Sequence, residues 1–159
     1  MPSKQVIALG TYHEAQRIGH ELNAKFAAVV SLVSENHGAQ ILLEEWWYHA
    51  DQSFASTLAT SGLEWKNVGT PEETRFETSV GGLNCHPPTY DPTKPILQEY
   101  GPLDTQERRE SYMVERIGVF MEPYEVGLFI VGLAHLHSIL CKLRVAGFDA
   151  RGYSWIEQK

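Results

Sequence analysis

The chain predicts an α/β fold: a three-layer sandwich with a mostly parallel sheet flanked by helices. Three observations carry that prediction. The strand candidates are short, continuous apolar runs, the pattern of strands covered on both faces. Helical patterns separate them in the alternation β-α-β-α-β, an irregular stretch, then α-β-α-β. The chain has 159 residues, 43% hydrophobic and 21% charged, which suits one ordinary globular domain able to bury a single core.

Residues 5–9 are mostly apolar and form the first strand, broken at Gly10 before Thr11, Tyr12 and His13. Ile18, Leu22, Phe26, Val29, Val30 and Val33 recur at helical spacing, predicting a helix over about 17–36 with Gly38 as its C-terminal cap. Residues 40–43 form the second strand and end at Glu44 and Glu45. Asp51 is placed to cap a short helix to about residue 60, closed by Gly62, and a weaker third strand covers 63–68. The stretch 69–102 is irregular, with Gly81–Gly82 and prolines at 87, 88, 92, 95 and 102. So long a structureless segment in a small domain reads as a lid or binding loop. Asp104 with Glu107 resembles a capping box, opening a helix to about Met121. A strand over 126–131, a helix from 135 or 136 to 146 closed by Gly147, and a last strand over 149–155 complete the order.

The formal net charge of −7 argues against a nucleic-acid or membrane-surface partner, since acidic surfaces repel phosphate. The first ten residues lack a secretory signal, and the apolar run 127–134 is too short to cross a bilayer, so a cytoplasmic protein is expected. Of the two cysteines, Cys141 reads as a buried small hydrophobe within a helix. Cys85 beside His86 is a weak candidate for a nucleophile pair, because adjacent residues rarely meet at hydrogen-bonding geometry.

Right-handed crossovers put every strand's C-terminal end on one edge of a parallel sheet, and ligands bind outside that edge. His13 follows the first strand, Glu44 and Glu45 end the second, and His135 ends the strand over 126–131. Both histidines sit three residues beyond a glycine, Gly10 and Gly132, which would allow a sharp exit from the strand and close backbone approach. Two histidines and a carboxylate suit a divalent transition metal (Zn, Mn or Co) that keeps positions open for water. Such an ion lowers the pKa of bound water to about 7. The expected ligands are His13, Glu44 and His135, with Glu45 in the second or supporting role. Adjacent strand residues point to opposite faces, so both glutamates reach one site only if the strand ends between them. Arg109, in the first turn of its helix where the macrodipole disfavours a cation, is more plausible there if it reaches an anion or a developing oxyanion. Arg75 reads rather as a surface ion-pair residue. Each histidine alone would pass as a cap or surface residue, as His20, His37, His49 and His86 do; His137, two beyond His135, could face the pocket or only cap its helix. Convergence of several groups on one edge is what singles out His13 and His135.

"GTYH", then "EE" after an apolar strand, then "RE-x-x-M" on a helix, then "GLAH" resemble the TIKI/TraB superfamily, which embraces TraB-like proteins, TIKI metalloproteases, erythromycin-esterase-like enzymes and ChaN-like haem-binding proteins. The resemblance spans nearly the whole chain as a compact, single-domain bacterial member. It implies a hydrolase built on Gly10–His13, Glu44–Glu45, Arg109 and Gly132–His135. The chain is much shorter than the better-known members and lacks their helical insertions, so their peptide or macrolide substrates do not carry over. The leading expectation is a metal-dependent hydrolase, peptidase- or esterase-like, acting on a small-molecule or peptide substrate. The runner-up keeps the same residues without metal, a histidine acting as general base. A third expectation is a catalytically silent module for a small molecule or haem, its pocket lined by some of the four Trp and seven Tyr. A homodimer is the assembly considered, with loop 69–103 either closing over the site or meeting a second subunit.

Overall fold

The computed structural model describes residues 3–46, 53–60, 62–69 and 103–155. The expectations for His49, Asp51, Arg75, Cys85, His86 and nearly all of loop 69–103 lie outside them, as does the Asp104 side chain of the proposed capping box. The described residues build β1 (Gln5–Thr11), α1 (His13–Gln16), α2 (Asn23–His37), β2 (Ile41–Glu44), β3 (Glu64–Asn67), α3 (Leu103–Phe120), β4 (Val126–Gly132), α4 (Leu136–Val145) and β5 (Asp149–Ser154). Short 3₁₀ turns lie at Ala55–Leu58 and Leu133–His135.

The fold is α/β, as the apolar runs require. The five strands form one all-parallel sheet in the order β3-β2-β4-β1-β5. Helix α2 covers one face, where Phe26, Val30 and Val33 pack on Ile7, Leu9, Leu42, Leu128 and Ile130. Helices α3 and α4 cover the other, where Met113, Ile117, Ile139 and Leu143 pack on Val6, Ile41, Leu43, Phe129 and Val131. Alternate residues of each inner strand therefore enter different cores, which explains why these strands carry no polar face. Strand β4 lies between β1 and β2, so the chain leaves β1, crosses β4 to build β2, and returns later to fill the gap. Three strand ends thereby become neighbours, with Thr11 level with Gly132 and Glu44 with Ile130.

Three element expectations need correction. The helix predicted over 17–36 begins only at Asn23, because Gly19 adopts a left-handed conformation (φ 88°) that breaks the pattern. Within that break Ile18 is exposed, and Arg17 bridges to Ser53 instead of continuing a helix. The helix predicted to residue 60 is, among the described residues, a single 3₁₀ turn. Finally, Cys141 is exposed. The buried stripe of α4 runs through Ile139 and Leu143, four residues apart, and turns the residue midway between them to the opposite side. Among the described residues no helix is long and apolar enough to cross a membrane.

Candidate active site at the sheet rim

Strand β1 stops at Thr11, Tyr12 stays extended (φ −80°, ψ 134°), and His13 opens the one-turn helix α1. One turn on, Gln16 is fully buried with its side chain against the imidazole: His13 Nδ1 lies 2.9 Å from Gln16 Oε1. The Gln16 amide nitrogen donates to Glu44 Oε2 at 2.8 Å and to the Glu45 backbone carbonyl at 3.2 Å. Burial lowers the His13 pKa below 6.5, against the opposing pull of Glu45 and Gln16, so the ring is neutral at neutral pH.

The two glutamates part company. The Glu45 amide still donates to Ile130 O at 2.9 Å, so the strand geometry persists past Glu44 and the neighbouring side chains leave opposite faces. Glu44 points away from both histidines' Nε2 atoms into the α2 side of the sheet. There Oε1 accepts from Ser53 Oγ at 2.5 Å and Trp65 Nε1 at 2.9 Å, and Oε2 from Gln16. Burial raises its pKa from 4.5 to about 7 despite these three donors. Glu45, not Glu44, stands between the histidines. Its Oε1 accepts from the Gly132 amide at 2.9 Å and faces His13 Nε2 at 3.6 Å; its Oε2 accepts from Arg109 Nη2 at 3.2 Å and faces His135 Nε2 at 3.7 Å.

His135 closes the 3₁₀ turn after Gly132, and its Nδ1 lies 3.0 Å from Glu110 Oε2. Glu110 also accepts from Ser138 Oγ at 2.6 Å and lies 3.6 Å from Lys142 Nζ. Burial alone would raise the Glu110 pKa; the hydrogen bonds from His135 and Ser138 and the nearby charges hold it below the ordinary value. Arg109 is the seventh residue of α3, not in its first turn, and it reaches an anion as its type suggested: the protein's own Glu45.

The glycines act by close approach. Neither Gly10 nor Gly132 is left-handed. A Cβ on Gly132 would lie 2.6 Å from His13 Nε2, and one on Gly10 would lie 3.0 Å from a Leu136 methyl. His13, Glu45, His135 and Arg109 thus converge, whereas Glu44, among the described residues, is linked to the cluster through Gln16. Gln16, Ser53, Trp65, Glu110 and Ser138 were not singled out by sequence. For Gln16 and Glu110 a signal existed: Gln16 is one helical turn from His13, and Glu110 shares the "RE" pair with Arg109. Thr11 Oγ1, at the same rim, is alone among the described side-chain polar atoms in being buried without a hydrogen-bond partner. The other described histidines serve elsewhere: His20 Nδ1 accepts from the Leu22 amide, His37 pairs with the Tyr153 hydroxyl, and His137 is exposed.

Among the described residues, no group of three or more His, Cys, Asp or Glu side chains has an arrangement that could hold a metal ion. The physical reason is local. Glu44 faces away, and both Glu45 oxygens are engaged, one by the Gly132 amide and one by the Arg109 guanidinium, whose charge supplies what a cation would. The expected set of His13, Glu44 and His135 is therefore not gathered at one point; the carboxylate that faces both histidines is Glu45. Comparison of the chain with protein-family models, with curated proteins and with solved structures returns no match.

Proposed function

We propose that the chain is a hydrolase of ester-like acyl substrates in which a histidine, held from behind by an acceptor, acts as general base on water. The observation that supports this is the His13–Glu45–His135 convergence with Arg109 on the same carboxylate. The roles of the two histidines differ. His135 is backed by the carboxylate of Glu110, which favours an imidazolium once Nε2 takes a proton from water. His13 is backed by a neutral amide and is held neutral by burial, so it suits a hydrogen-bonding role towards water or substrate. Arg109 balances the buried charge of Glu45, which orients the rim. The motif order that resembles the erythromycin-esterase-like branch of the TIKI/TraB superfamily supports the same reading.

A metal-assisted variant has one observation in its favour: both Nε2 atoms face the Glu45 carboxylate. It would need Arg109 to withdraw from Glu45.

The test is hydrolysis of short-chain aryl esters in chelator-containing buffer. Wild type is expected to turn over there, and His135→Ala to lose about 10²–10⁴-fold in kcat. His13→Ala is expected to be nearly as damaging. Activity that vanishes on chelation and returns with Zn, Mn or Co would favour the metal variant. No hydrolysis, with a haem-type absorbance change on titration, would overturn both in favour of a binding module.

A further inference from the structure

Glu44 and Gln16 are buried beneath the rim; Gln16 backs His13, and the proposed chemistry leaves Glu44 without a role. Their hydrogen bonds have a direction. The Gln16 Nε2 atom lies 2.8 Å from Glu44 Oε2 and 3.2 Å from the Glu45 carbonyl oxygen. With Glu44 ionised, above its pKa of about 7, two acceptors bracket one end of the amide, so that end is the NH₂, and a flipped amide would set oxygen against oxygen twice. Glu44 cannot turn away, because Ser53 and Trp65 both donate to its other oxygen. The carbonyl end of Gln16 is therefore the end that meets His13 Nδ1, at 2.9 Å. A carbonyl only accepts, so Nδ1 must carry the hydrogen, and in a neutral imidazole Nε2 then carries the lone pair.

We infer that Gln16 and Glu44 are positioning residues: Glu44 sets the polarity of the Gln16 amide, and the amide in turn locks His13 as the Nδ1–H tautomer with its Nε2 lone pair towards the rim. Glu44 acts here as a directional anchor two hydrogen bonds from the imidazole. This deepens the hydrolase reading and rests on it for its purpose, since an Nε2 lone pair at the rim accepts a hydrogen bond from water or substrate. The tautomer itself is a property of the resting protein and is read without any substrate. The two adjacent glutamates thereby take different roles, Glu45 entering the rim and Glu44 reaching it through Gln16.

The experiment is long-range ¹H–¹⁵N correlation spectroscopy of the His13 ring in the ¹⁵N-labelled full chain at pH 8, where the ring is neutral. The result expected is a pyrrole-type Nδ1 and a pyridine-type Nε2. In Gln16→Leu and Glu44→Gln the two nitrogen shifts move towards each other as both tautomers become populated, and kcat falls about 10- to 100-fold with KM little changed. An Nε2–H ring in the wild type overturns the inference even if neither variant folds. Shifts unchanged in both folded variants overturn it as well. A chain with the expected tautomer and no ester hydrolysis supports the inference and sinks the hydrolase reading, so the two failures are told apart.

Discussion

A methyl group on Gly132 would lie 2.6 Å from His13 Nε2 and 3.2 Å from Glu45 Oε1, distances at which the imidazole must move. The backbone there (φ −59°, ψ 136°) suits any residue, so strain is not the reason for glycine. The reason is that the imidazole of one Gly-x-x-His segment lies on the glycine of the other. Gly132→Ala is accordingly expected to displace His13 by about 1 Å and lower kcat roughly 10²-fold. A urea midpoint close to wild type alongside that loss would confirm the cause; unchanged kcat would refute it. The repeated Gly-x-x-His pattern was legible in the sequence, but its meaning was not. The sequence suggested a sharp exit from the strand and close backbone approach, but the close neighbour is an imidazole from a segment far apart in sequence, which the sequence did not show.

At the scale of elements, α3 carries two of the charged groups that build the rim and has to hold them at fixed depth. Arg109, Met113, Ile117 and Met121 fall four residues apart and are all buried; the first meets Glu45 and the others enter the core against β2 and β4. One stripe thus serves both packing and charge placement. Glu110, next to Arg109, is rotated about 100° around the helix and meets α4 through His135 and Ser138. Truncating Ile117 to Ala removes a fully buried side chain and is expected to cost about 2–5 kcal/mol in urea unfolding. Activity per folded molecule should fall with it, because Arg109 lies two turns away on the same stripe. A cost below about 1 kcal/mol would show that α3 is held by contacts other than this stripe.

For the molecule as a whole, the buried carboxylates set opposing dependences of stability on pH. Glu44 has a folded pKa raised from 4.5 to about 7, so the folded state binds more protons than the unfolded chain between those values. Its contribution is present below pH 4.5 and is lost as pH rises through 7, a loss of about 3 kcal/mol. His13 works the other way: its folded pKa lies below 6.5, so folding gains stability as pH rises through that value. Glu110, held below its ordinary value, contributes stability above the unfolded carboxylate pKa that is lost in acid. The Glu44 effect is isolated by subtraction. The stability of wild type minus that of Glu44→Gln is expected to fall between pH 5 and pH 8, measured by urea unfolding at each pH. A flat difference would mean that Glu44 titrates like an exposed carboxylate.

Local chemistry alone determined much of this protein. Short continuous apolar runs read as strands buried on both faces, helical patterns between them point to a parallel sheet, and a parallel sheet gathers strand ends at one edge. His13, Glu44, Glu45 and His135 could be placed at that edge on this reasoning, because it depends on the order of elements and not on their exact packing; Arg109 was singled out separately, by its charge on a helix. The tertiary structure alone decided which glutamate stands between the histidines. The sequence holds Glu44 and Glu45 side by side, and whether the pleat continues one residue further is settled by a hydrogen bond from the Glu45 amide to Ile130 on another strand. The partners behind each imidazole were decided in the same way. Gln16, Ser53, Trp65 and Glu110 are ordinary residues in their own segments, and only the packing of α1, α3, β3 and the segment at Ser53 around the rim brings them to the histidines and glutamates they hold.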